Sequence, residues 1–253
     1  PTFLTMTRAS IAGLLGLALL LAFRAPFPSR NDVVSLIVVA LGVVVGFPLL
    51  TGIALQHMTS AHAIVFIGLL PLATAVFAVL RGGESPRPLF WLFSVVGSAI
   101  VASYAYGQGS QSTLLGDVLM LGAIIVCGLG YAEGASLSRR LGGWQVICWA
   151  LVFSLPVMLP LSILTRPETW AGIGVMAWGG LAYVTLFSML IGFFFWYRGL
   201  AQGGAAAVGQ LQLLQPFFGL MLAAFIAGEP VSMGMVLTAG VVVLCVAGAK
   251  KFA

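Results

Sequence analysis

Runs of about twenty apolar residues, repeated along the whole chain and almost bare of charge, leave few ways to fold. "LQLLQPFFGLMLAAFIAGEP" at 211–230 is one: it carries no charge before Glu229. A helix that crosses a hydrocarbon layer needs ~20 residues. That ruler gives nine runs, at roughly 3 to 23, 33 to 55, 61 to 80, 88 to 106, 115 to 137, 144 to 165, 172 to 198, 205 to 227 and 231 to 249. None shows the alternation that a barrel strand requires. The chain is 61% hydrophobic and 7% charged, whereas a soluble domain spends about 25% of its residues on charge to face water. The fold class expected is all-α and polytopic, with nine transmembrane helices.

The breaks between runs carry turn chemistry, as in "RAPFPSRND", "RGGESPRP", "GQGSQST" and "SRRLGG". Alternating the spans puts Arg24, Arg30, Arg81, Arg87, Arg139, Arg140, Arg198, Lys250 and Lys251 on one side, and Arg166 and Arg8 on the other. By the positive-inside rule the first side is cytoplasmic, and so is the C-terminus. The net charge of +5 comes from single residues between apolar runs, not from a basic stripe, so no nucleic-acid partner is expected. Cys127, Cys148 and Cys245 all fall within apolar runs and read as small core residues. No secretory signal with a cleavage site precedes the first run, so targeting is expected to rest on the spans. The same alternation starts Pro1 outside, which is odd for a chain without a signal. One span is therefore expected to be missing from the front.

The chain also resembles itself. "GLLPLATAVFAVLRGGESP" at 68–86 places Pro71, Gly83 and Glu84 as Pro216, Gly228 and Glu229 are placed, an offset of 145 each time. Upstream, "GFPLLTGIALQHMTSAHA" and "GFFFWYRGLAQGGAAA" align from Gly46 and Gly192. An odd number of spans separates the copies, so they are expected to lie upside down relative to each other, as in secondary transporters.

On these residues the sequence resembles the EamA-type family of the drug/metabolite transporter superfamily. The likeness rests on the two P-x11-GE units, on "ALQHMTSAHAIVFIGLLP" at 54–71, on "RGLAQGGAAAVGQLQLLQP" at 198–216 and on "GDVLMLGAIIVCGLGYAEGASLSRRL" at 116–141. It implies ten helices in two inverted five-helix repeats, both ends cytoplasmic, and export of small metabolites such as amino acids and drugs. Here residues 1–110 would form the first repeat, with four helices and the first absent, and 111–253 the second, with five.

Several in-span residues bear on function. Pro71 and Pro216 each remove an amide donor near the middle of a span; they are either packing kinks or cavity-side bends. Gln212 and Gln215 lie a turn apart on one face and read as substrate-binding groups or as interhelical glue; Gln210 points elsewhere and is a further substrate-binding candidate. Glu133 stands beside the small-residue stripe Ala123, Cys127, Gly130 and Gly134; it is a candidate binding or proton site, or it reaches toward the cytoplasmic interface. Tyr131 is a cavity aromatic or a belt residue. Arg8 either snorkels outward or holds a carboxylate. His57 and His62 flank an outer loop with no acidic partner in sight, and no metal site is expected. Glu84 and Glu229, each after a Gly, read as helix-turn punctuation. The aromatics from Phe193 to Tyr197, with Trp149, Trp178 and Tyr183, read mostly as lipid-facing or belt residues, with one or two left to flank a bound apolar substrate.

The function expected is a secondary transporter that exports amino-acid-like or drug-like amphiphiles across the cytoplasmic membrane by alternating access. A sugar phosphate would call for paired cations at the midplane. No G-x-x-x-x-G-K loop occurs, so ATP does not drive it directly; neither cofactor nor metal is expected. The partners expected are a small-molecule substrate, the lipid bilayer and a second copy in a homodimer. The rival readings are an intramembrane enzyme, for which no H-E-x-x-H or paired Asp is present, and a non-transporting scaffold.

Overall fold

A computed structural model describes residues 2–107, 112–167, 173–227 and 233–253. Gly228, Glu229 and Pro230 lie outside the described residues. Thirteen α-helices follow in order: α1 Thr2–Ala22, α2 Arg30–Val39, α3 Phe47–Ala54, α4 Ser60–Ile67, α5 Leu70–Gly82, α6 Pro88–Tyr106, α7 Leu114–Leu141, α8 Gly143–Leu164, α9 Val175–Tyr183, α10 Gly192–Gly203, α11 Ala205–Gly209, α12 Gln215–Ala227 and α13 Met233–Phe252. Wider π-helical turns, Ala40–Gly46 and Val184–Ile191, join α2 to α3 and α9 to α10, and a tighter 3-10 stretch, Gln210–Leu214, joins α11 to α12. Among the described residues no strand forms; one bridge pairs Met58 with Ser112.

Eight helical stretches among the described residues are long and apolar enough to cross a membrane. The expected span over 172 to 198 runs on to Gly203. The expected span over 205 to 227 is helical in three pieces rather than one. Pro71 and Pro216 do not stand inside a regular α-helix. Each is the second residue of a new one, since the chain breaks first, at Gly68 and Leu69 before α5 and at Gln210–Leu214 before α12. A ring at that position costs nothing, because the first amides of a helix have no intrahelical acceptor.

The succession of breaks occurs twice at one spacing. Helices open at Arg30, Ser60 and Leu70, and again 145 residues on at Val175, Ala205 and Gln215. Local chemistry sets several helix starts. Ser29, Thr59 and Thr113 accept from the amides of Asp32, His62 and Gly116 to cap α2, α4 and α7, and Gly83 ends α5 at φ +67°, a left-handed conformation suited to glycine.

Helix α7 is the hub, packed against α2, α3, α5, α8 and α10. Its small residues permit this. A Cβ at Gly130 would stand 2.6 Å from a Val43 methyl, one at Gly128 3.0 Å from the Ala73 backbone, and one at Gly134 would run into the Tyr197 ring. The outer faces are apolar: Met176 is 90% and Phe225 89% exposed, a surface suited to lipid and not to water.

Two aromatic expectations are corrected. Trp149 is buried, edge-on to Phe27 at 5.1 Å and stacked on Phe153 at 5.9 Å. Tyr197 is fully buried because Gly134 makes room for its ring. Trp178 and Tyr183 are exposed, and the three cysteines are free and buried.

Polar contacts tie the helix ends that carry most of the basic residues. Arg140 at the end of α7 pairs with Asp32 of α2 at 2.6 Å, and Arg139 pairs with Glu84 at 2.9 Å. Glu84 also accepts from the amides of Ala205 and Ala206, at 2.8 and 2.9 Å, so it caps α11 across 121 residues of sequence. It does punctuate a helix, but the helix is a distant one.

Candidate functional site

A cavity of about 590 Å³ lies where the two broken stretches and the two π-helical turns meet. α1 contributes Arg8, α3 Thr51, α7 Tyr131, α10 Trp196, the 3-10 stretch Gln212 and α12 Gln215. The π-turns face it through Val43 on one side and Phe187, Ser188 and Met189 on the other. Irregular backbone at membrane depth is tolerated where it lines such a space, and π-turns gather at functional sites.

Its walls hold unmet polar atoms. Arg8 Nε, Thr51 Oγ1, Trp196 Nε1 and Gln212 Oε1 are all buried with no hydrogen-bond partner among the described residues. Each such atom costs about 1–3 kcal/mol if it stays dry, so four around one cavity suit a space that takes up water or a solute. Tyr131 packs edge-on to Trp196 at 5.5 Å. Arg8 joins no ion pair among the described residues, and no carboxylate lines the cavity. The site thus offers one guanidinium, an indole N–H, a hydroxyl and an amide carbonyl within aromatic walls.

Four of the six residues singled out in the sequence, Arg8, Tyr131, Gln212 and Gln215, line this cavity. Gln210 and Glu133 do not. Gln210 is fully buried and donates from Nε2 to the Pro71 carbonyl at 3.5 Å, a staple between the two broken stretches. Glu133 pairs with Arg81 at 2.6 Å. His62 does have an acidic partner, contrary to the sequence reading: Asp117 Oδ1 stands 2.9 Å from its Nε2 and also accepts from Ser112 at 2.6 Å. The partner is 55 residues away on α7, beyond any local motif.

Sequence reasoning missed Thr51 and Ser188 and did not pick Trp196 out of an aromatic set of which one or two were expected to flank a substrate. A hydroxyl within an apolar run is a signal that could have marked the first two.

The sequence profile of the EamA-like transporter family matches residues 1–104 and 114–249. The chain belongs to this family, and it is a multi-pass membrane transporter of the EamA type. It is 67% identical over 253 residues to the uncharacterized transporter YdeK of Bacillus subtilis (strain 168), covering 100% of this chain and 88% of that protein. The uncharacterized transporter YyaM of the same organism is 24% identical over 225 residues, 85% of this chain and 72% of that protein. A solved crystal structure superposes with a TM-score of 0.83 at 20% identity, over 100% of this chain and 90% of that one. At that identity the likeness speaks for the fold alone.

Proposed function

We propose that the protein is a secondary transporter that exports amino-acid-like or drug-like amphiphiles across the cytoplasmic membrane by alternating access, with its substrate held in the cavity between Arg8, Tyr131 and Gln212. The observation that carries this reading is the convergence of four unmet buried polar atoms on one aromatic-walled space. Arg8 suits a carboxylate, the Gln212 carbonyl oxygen suits an ammonium or amide N–H, and the ring faces of Tyr131, Phe193 and Trp196 suit an apolar side group. A single guanidinium matches one negative charge better than a doubly charged phosphate.

Residues 1–110 and 111–253 act in this reading as two inverted repeats of nine helical spans. The doubled series of helix starts supports it, and so does the offset of five spans between the copies, an odd number that turns one upside down relative to the other. The basic end of the bundle faces the cytoplasm, with the C-terminus. The broken stretches beside Pro71 and Pro216 are where the helices flex as access changes.

The test uses purified protein in liposomes with a panel of labelled amino acids. Saturable flux that Arg8→Gln abolishes is expected. Flux of no compound across the panel, from folded protein, would favour a non-transporting role.

A further inference from the structure

A second space, a groove of about 850 Å³, lies at the basic end of the bundle, apart from the transport cavity. Its size is within the ~300–1,000 Å³ of pockets that hold extended small molecules. Phe23, Trp144 and Phe195 give it an apolar side, with Phe23 and Trp144 edge to face at 5.7 Å. Ser138, Arg139 and Arg198 give it a polar side.

Three features of that polar side ask for an anion. First, α8 is 22 residues long and starts here, behind Gly142, with no side-chain cap, so its positive end and first amides are open to a negative group. Gly143 fits this start tightly on α10, where a Cβ would stand 2.7 Å from the Arg198 amide nitrogen. Second, Ser138 lines the groove and is only 6% exposed, and its buried Oγ has no hydrogen-bond partner among the described residues. Third, one positive charge of the groove, that of Arg198, is uncompensated. The four acidic residues within the described segments, Asp32, Glu84, Asp117 and Glu133, pair with Arg140, Arg139, His62 and Arg81; Arg198 joins no ion pair among the described residues.

We propose that this groove is a binding site for an anionic phospholipid of the leaflet at the basic end, with its phosphate held by Arg198, Arg139, Ser138 and the first amides of α8. One acyl chain lies along Phe23, Trp144 and Phe195. The combination decides the class: a soluble anion would not use the aromatic side, and a zwitterionic lipid brings its own cation to Arg198.

The experiment is native mass spectrometry of the purified full chain in detergent, with phosphatidylglycerol or phosphatidylcholine of matched acyl chains added. The wild type is expected to retain phosphatidylglycerol about tenfold better than phosphatidylcholine, whose choline cation offsets the phosphate charge beside Arg198. Arg198→Gln should lose that preference. The side chain is exposed, and an unchanged melting temperature will show that the variant folds. Arg87→Gln, which removes an exposed cation at the same end but outside the groove, should keep the preference. Equal retention of the two lipids by the wild type, or equal loss in both variants, would overturn the site. So would a melting temperature raised by millimolar inorganic phosphate but not by phosphatidylglycerol, which would make it a site for a free anion.

Discussion

Arg81 of α5 and Glu133 of α7 form an ion pair at 2.6 Å in which the guanidinium is 57% exposed and the carboxylate 8%. The asymmetry gives the two single substitutions different costs. Glu133→Gln leaves Arg81 free to reach water, so the loss should be about 1 kcal/mol, the worth of a screened pair. Arg81→Gln strands a buried carboxylate and should cost about 3 kcal/mol. Thermal melts of the two variants in the same detergent give the order. If Glu133→Gln is the more harmful, Glu133 is doing something other than pairing.

Glu84 receives the Ala205 and Ala206 amides and Arg139 at once. Glu84→Ala would uncap α11 and is expected to cost about 1–2 kcal/mol. Hydrogen exchange localises the effect. The Ala205 and Ala206 amides should exchange faster in the variant while those in the middle of α8 keep their protection; a change spread evenly over all helices would mean that Glu84 holds no particular contact.

The three glutamines separate binding from structure. Gln212→Leu removes an unmet carbonyl oxygen from the cavity and should lower flux about tenfold, the worth of one hydrogen bond to a charged group, with little change in melting temperature. Gln215, exposed at the edge of the cavity, should show a smaller loss in the same direction. Gln210→Leu should do the opposite: it breaks the link to Pro71 and should lower the melting temperature more than either. Flux assays and melts on the three variants decide the ranking.

What the sequence made legible was what depends on local composition. The length of the apolar runs, the Gly, Pro and Arg of the breaks, and the cost of Arg8, Gln212 and Gln215 in lipid all act within a turn or two of chain. Pairings across the fold were not legible. Asp117 reaches His62 and Glu84 reaches Ala205 only because α7 and α11 pack where they do. The π-turns were hidden for another reason. Period is read from the contrast between apolar and polar faces, and "ALGVVVG" and "VTLFSMLI" offer almost none. Trp196 could not be singled out for a like reason, since in "GFFFWYRG" nothing distinguishes the ring that turns to the cavity from the one that turns to lipid.

The π-turns carry the last prediction. Gly46 closes the first, and Gly192 follows the second. A Cβ on either would stand 2.5 Å from a carbonyl oxygen five residues earlier, that of Leu41 or Phe187. Alanine at either place would press the turn back toward α-helical spacing. A π-turn holds one extra residue, so its loss rotates everything beyond it by about 100°. For the first turn that carries Phe47, Pro48 and Thr51 off the cavity wall, and for the second Phe193 and Trp196. Gly46→Ala and Gly192→Ala should therefore each cut flux more than any single glutamine change. Gly52→Ala, on α3 with nothing within 4 Å of its Cβ, should leave flux intact. Normal flux in Gly192→Ala would show that the wide turn has no part in shaping the site.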